Sequence, residues 1–145
     1  MNAFDTALGW WVLSVVVLFF KMHALAFVQL YHRQRAGTFR TPEDVAVFSK
    51  GKFAVADDTD IGDRATRAWR NDLENLPVYF ALSLAFVLLG GSATAGAIYF
   101  GVYTAARVLH TLVYLKGLQP HRFICHSISL TTAGVLAIHC VVRLF

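Results

Sequence analysis

Charged and hydrogen-bonding side chains recur at helical spacing in an otherwise apolar chain. Arg64, Arg67, Arg70, Asn71 and Glu74 are three, three, one and three residues apart. At about 100° per residue they share one helical arc of about 120°. Tyr103, Arg107, His110 and Tyr114 follow at spacings of four, three and four, and Arg122, His126 and Ser129 at four and three. Lys21 stands alone inside an apolar run. Asp72 and Glu74 are too few to neutralise Lys21, Arg64, Arg67, Arg70, Arg107 and Arg122. An excess of cation asks for an anionic ligand, and the planar guanidinium suits a carboxylate. The expected chemistry is capture of a small organic anion in a polar cleft with apolar walls. Pairing or snorkelling explains one such face more readily than three.

Other chemistries have thinner support. His110, His121, Cys125 and His126 lack the spacing of a metalloprotease helix and have no carboxylate cluster beside them, so no metal is expected. Haem between helices, held by His23, His110, His126 or His139, stays as an alternative, because its propionates also favour arginine. No phosphate-binding glycine loop or Ser-His-Asp arrangement is present. Cys125 and Cys140 are fifteen residues apart in one apolar stretch, too far to bridge within a helix.

The elements that must position these residues follow from composition. The chain has 145 residues, of which 57% are hydrophobic and 15% charged, with twelve phenylalanines. Soluble domains are about 45–50% apolar. This argues against a soluble enzyme, a disordered tail and a disulfide scaffold, and for an integral membrane protein. The net charge of +4 is modest and much of it flanks apolar stretches, so no nucleic-acid partner is expected. The only charge before the first apolar run is Asp5, unlike a secretory signal.

Four spanning helices are expected within one domain over residues 1–145, an all-α four-helix bundle. Three lie near 7–31, 93–115 and 123–145. The second is purely apolar only over 76–89, so it must begin near Asp60–Asp63, where Asp57, Asp58, Asp60 and Asp63 suit a helix N-terminus. Pro77 is expected to kink it. Thr41-Pro42-Glu43-Asp44 reads as a capping box opening a short surface helix. Arg33, Arg35, Arg40, Lys50 and Lys52 in the first connection, and Lys116 and Arg122 about the third, place both at the cytoplasmic face. Trp10, Trp11, Trp69 and Tyr31 read as interfacial anchors, and His139 and Arg143 as an ordinary helix end.

Arg64-Ala-Thr-Arg67-Ala-Trp-Arg70-Asn71-Asp72-Leu-Glu74-Asn75 resembles the helix-2 signature of the MAPEG family, membrane-associated proteins in eicosanoid and glutathione metabolism. Lys21-Met22, Thr41-Pro42-Glu43-Asp44, Arg107-Val-Leu-His110-Thr-Leu-Val-Tyr114-Leu and Pro120-His-Arg122 agree in order, so the resemblance covers nearly the whole chain. It is similar to the branch of microsomal glutathione transferases and prostaglandin E synthases. The resemblance implies a homotrimer that binds glutathione as co-substrate between subunits near the cytoplasmic face. By matching position, Arg67, Arg70, Asn71 and Glu74 would hold glutathione, with His110, Tyr114, Arg33 and His126 contributing. Glu74 would take the ligand's ammonium and the arginines its carboxylates.

Arg122 matches the arginine near sulfur and would be the catalytic residue, stabilising the thiolate. The reaction implied is conjugation of glutathione to a hydrophobic electrophile arriving from the bilayer, with reduction of lipid hydroperoxides as a second activity. Two departures, Phe123 in place of a hydroxyl residue and His126 in place of a tyrosine, favour conjugation over prostaglandin-type isomerisation. The alternative from another class is a non-catalytic membrane scaffold with the same fold.

Overall fold

The computed structural model describes residues 2–36 and 60–145. Among them the chain forms four α-helices and no strand: α1 Ala7–Ala36, α2 Asp60–Leu88, α3 Ala93–Leu115 and α4 His121–Val142, with a 3-10 turn at Ala3–Asp5. The expected helix at Thr41-Pro42-Glu43-Asp44, the cations Arg40, Lys50 and Lys52, and the capping residues Asp57 and Asp58 lie outside the described residues.

α2 and α3 have the expected bounds. α1 runs past residue 31 to Ala36. Its last turn carries Arg33 and Arg35, which form helix well and complement the negative end of the helix dipole. α4 starts two residues earlier than expected and ends at Val142, with Arg143 as its C-cap. α2 continues through Pro77, whose ring leaves the Leu73 carbonyl without its ladder donor.

α2 and α3 end alike. Gly90 and Gly117 take φ of +72° and +70°, which a residue without Cβ adopts freely. After α2, the Gly91 amide bonds the Phe86 carbonyl and the Gly90 amide that of Val87, both at 3.0 Å; after α3, Leu118 bonds Val113 and Gly117 bonds Tyr114, also at 3.0 Å. These paired bonds satisfy the last carbonyls of each helix and reverse the chain. The Ser92 hydroxyl then caps α3, accepting from the Ala95 amide at 3.3 Å.

α1 packs against α2 and α3, α3 against α4, and α2 against both α3 and α4. The core gathers Leu18, Tyr79, Phe86, Phe100, Tyr103 and Leu136, with the Tyr79 and Tyr103 rings stacked at 3.6 Å. A smaller cluster of Leu25, Ala65 and Ala68, flanked by Trp69 and Tyr114, lets α1 approach α2 closely. Ser14 joins three helices, 2.7 Å from the Tyr79 hydroxyl and 2.6 Å from that of Thr104. Trp11 does more than anchor at an interface: its Nε1 donates to Ser83 Oγ at 3.0 Å and ties α1 to α2.

The outside of the bundle is apolar. Phe20 is 66% exposed, Phe27 70% and Leu88 77%. α1 and α4 are long and apolar enough to cross a bilayer, and most of each points out of the chain rather than into it. A soluble core helix would bury those residues, whereas hydrocarbon accepts them. The molecule is an all-α membrane helical bundle.

Candidate functional site

The helix-2 and helix-3 motifs meet at a buried carboxylate. Asp72 and Arg107 are fully buried. Lys21 Nζ from α1 donates to Asp72 Oδ2 at 2.5 Å. Arg107 from α3 donates to Asp72 Oδ1 through Nε at 3.1 Å and also through Nη2. Three helices are thereby pinned at one point.

This corrects the expectation that the intramembrane cations lack protein partners. Lys21 and Arg107 share Asp72. Arg67 pairs with Asp63, one turn back on the same exposed face. Arg64 donates to the Leu115 carbonyl at 3.5 Å, at the end of α3. Among the described residues, Arg70, Arg122 and Glu74 have no ion pair, so the demand for an ionic ligand narrows to them. Helical periodicity shows which face a residue occupies but not which partner a neighbouring helix offers, so the shared role of Asp72 emerges only from the packed helices.

Arg107 also donates from Nη2 to the Asn71 Oδ1 at 2.8 Å. With its oxygen so engaged, Asn71 turns its amide nitrogen elsewhere. It borders a cavity of about 230 Å³ with His110 and Tyr114 from α3, Gln119 from the connection, and Arg122, Phe123 and His126 from α4. Five of the nine residues expected at the site therefore converge: Asn71, His110, Tyr114, Arg122 and His126. The His110 and His126 rings are 5.9 Å apart. The Nδ1 atom of each is buried and has no hydrogen-bond partner.

Arg122 has neutral company. Its Cζ lies 4.6 Å from the centre of the Tyr114 ring. With the Gln119 amide turned oxygen-inward, Gln119 accepts from Arg122 Nη2 at 2.6 Å and Nε at 2.9 Å. Gln119 stands in the connection between α3 and α4. Connections have no periodicity from which to read a facing direction.

The other four expected residues do not line this cavity. Arg67, Arg70 and Glu74 are exposed on the face of α2 that continues outward from Asn71. Arg33 donates to Gln29 Oε1 at 3.3 Å, and that oxygen also accepts from Thr66 Oγ1 at 3.3 Å, so the end of α1 is tied to α2. Larger hollows, such as one of about 400 Å³ between α3 and α4 at Ile98, Val102 and Val135, are almost wholly apolar. They offer no charge to an ionic ligand.

A family-wide profile, that of the MAPEG family, matches residues 8–142. The chain belongs to the MAPEG family. It is similar to microsomal glutathione S-transferase 1 of Rattus norvegicus, 32% identical over 126 residues, which is 81% of this chain and 80% of that protein. The protein of the same name from Homo sapiens is 30% identical over 126 residues, 81% of this chain and 80% of its own length. Prostaglandin E synthase of Equus caballus is 31% identical over 136 residues, 93% of this chain and 88% of that protein.

In this MAPEG chain the connection beside the pocket is tightly built. A Cβ on Gly117 would meet Arg64 Nη1 at 2.5 Å, at a φ that L-residues rarely adopt. Gly117→Ala is therefore expected to cost about 1 kcal/mol or more. Thermal unfolding in detergent checks this: an unchanged midpoint removes Gly117 as a conformational requirement.

The opposite end is also more than an ordinary helix end. Arg143 Nη1 donates to the carbonyls of Gly90 at 2.9 Å and Leu89 at 3.3 Å, closing α2 from α4. His139 accepts from Arg143 Nε at Nε2, 3.2 Å away, which leaves Nδ1 to carry the proton toward the Tyr99 hydroxyl at 3.0 Å.

Proposed function

We propose that this chain is a single-domain, four-span membrane transferase, assembled as a homotrimer, that conjugates glutathione to hydrophobic electrophiles. The observation that carries the reading is Arg122, a guanidinium at a pocket with His110, His126 and Asn71 and with only neutral partners among the described residues. The similarity to microsomal glutathione S-transferase 1 supports glutathione as co-substrate. Glutathione carries two carboxylates, an ammonium and a thiol. Arg67 and Arg70 match the carboxylates, Glu74 the ammonium, and Arg122 the sulfur. Asn71, His110, Tyr114 and His126 supply hydrogen bonds, and Arg33 adds charge from the end of α1.

A subunit interface is part of the reading for a physical reason. About 230 Å³ falls below the roughly 300–1,000 Å³ of small-molecule sites. Arg67, Arg70 and Glu74 lie on open helix surface beside the pocket, where a second subunit would complete the walls. The pocket sits at the α3–α4 connection, whose basic residues favour the cytoplasmic side.

The chemistry is nucleophilic substitution. A free thiol has a pKa of about 8.5 and is mostly protonated at neutral pH. A nearby guanidinium favours the thiolate, the reactive form. The proton leaves to water, sulfur forms a bond to the electrophilic carbon, and the leaving group departs with the displaced electron pair. An apolar electrophile would enter from the bilayer, already concentrated there.

The test is glutathione-dependent turnover by the detergent-purified protein, with hydrophobic halides, epoxides and hydroperoxides, beside direct glutathione binding. Turnover of halides or epoxides is expected. Binding without turnover would favour a scaffold, and a Soret band in the purified protein would favour haem. Arg70→Ala and Glu74→Ala are each expected to weaken glutathione binding about tenfold or more, the value of one charge-assisted hydrogen bond. Titration calorimetry measures this, and unchanged affinity in both removes α2's outer face from the site.

A further inference from the structure

Arg122 is the cation around which the pocket closes, yet its side chain is only half-buried and springs from the first turn of α4. Left alone, a long arginine in the first turn of a helix would sample solvent, since that end of the helix offers free N–H groups and no free carbonyls. The usual anchor for such a group is a carboxylate, which fixes the planar fork and offsets its charge. Among the described residues, no carboxylate lies within ion-pair distance of Arg122. An amide does the anchoring: Gln119 accepts from Nη2 at 2.6 Å and from Nε at 2.9 Å. The Tyr114 ring covers the flat face at 4.6 Å. Edge and face are both held, and Arg122 lines the pocket.

We infer that Gln119 is a positioning residue that fixes the Arg122 guanidinium over the pocket while leaving its positive charge unneutralised. A glutamate of the same size would hold the same two donors and cancel the charge. An alanine would leave the charge and release the arm. The two roles of the amide, geometry and neutrality, can therefore be separated by two substitutions at one exposed position, where neither disturbs the core. The inference rests on the proposed glutathione chemistry.

The experiment is a pH titration of glutathione bound to the purified full chain in detergent, followed by the ultraviolet absorbance of its thiolate, with turnover measured on the same samples. The other titratable groups facing the pocket are His110 and Tyr114 from α3 and His126 from α4, and all are unchanged in both variants. Gln119→Glu is expected to bind glutathione and to raise the thiolate midpoint by about one pH unit or more, the effect of a single opposite charge at contact. Gln119→Ala is expected to raise the midpoint by less and to lower kcat several-fold with KM for glutathione little changed. Either variant titrating and turning over as the unsubstituted protein does overturns the inference. Failure of the unsubstituted protein to bind glutathione at all overturns the proposed function, and this inference with it.

Discussion

Asp72→Asn is expected to destabilise the bundle by about 3–5 kcal/mol, the usual cost of leaving a buried charge without its partner. The residue accepts from Lys21 on α1 and Arg107 on α3, and both it and Arg107 are fully buried. An amide keeps the shape and loses the charge, so two cations remain in contact inside an apolar bundle. Lys21→Met is the control. It leaves Arg107 and Asp72 as a neutral pair and fills the lysine's path with a chain of similar length, so its cost should be a small fraction of that of Asp72→Asn. Denaturant unfolding in micelles, followed by tryptophan fluorescence, compares them. If Asp72→Asn matches the unsubstituted chain, or Lys21→Met loses as much as Asp72→Asn, the cluster is not what holds the three helices together.

Arg122→Ala is expected to lower glutathione-dependent turnover about 10²-fold at neutral pH, the scale on which one preorganised donor to a developing anion acts. The sign of the pH dependence follows from the thiol. The guanidinium favours the thiolate, so its removal costs most below the ordinary thiol pKa of about 8.5. Above that pH the thiolate forms without help, and the variant should recover toward the unsubstituted rate. A loss that is equal at every pH would assign Arg122 to binding rather than to thiolate formation. Arg122→Lys should fall between, since a point charge lacks the fork that meets Gln119.

The sequence made α2 and α3 legible because their signals are local: acidic residues before α2, a glycine pair after it, and a serine cap before α3. It also showed that Asn71, His110, Tyr114, Arg122 and His126 occupy polar faces, and these meet at one cavity. What it could not show is pairing between helices. Asp72 looked like one of a few carboxylates among many cations, yet it is the hub of three helices. Trp11 looked like a lipid-interface aromatic and instead bonds Ser83 on α2. Gln119 lay in a connection where no period applies, and only the placed Arg122 gives it a role. Arg143 looked like a helix tail, but it closes the end of α2. In each case the missing information is the relative rotation and height of two elements, which depends on the whole packed core.

The Asp72 cluster has one more consequence, because Asn71 is its immediate neighbour. Two adjacent positions on a helix point about 100° apart. One is locked inward by ionic contacts to α1 and α3, so the other cannot turn away from the cavity. The ionic hub thus works as a keyway that sets the rotational phase of α2 and aims Arg70, Asn71 and Glu74 together. A single residue inserted in α2 ahead of this point would swing the upstream arginines off that common heading, and Ala65 and Ala68 away from Leu25 with them, while the helix beyond Asp72 stayed keyed.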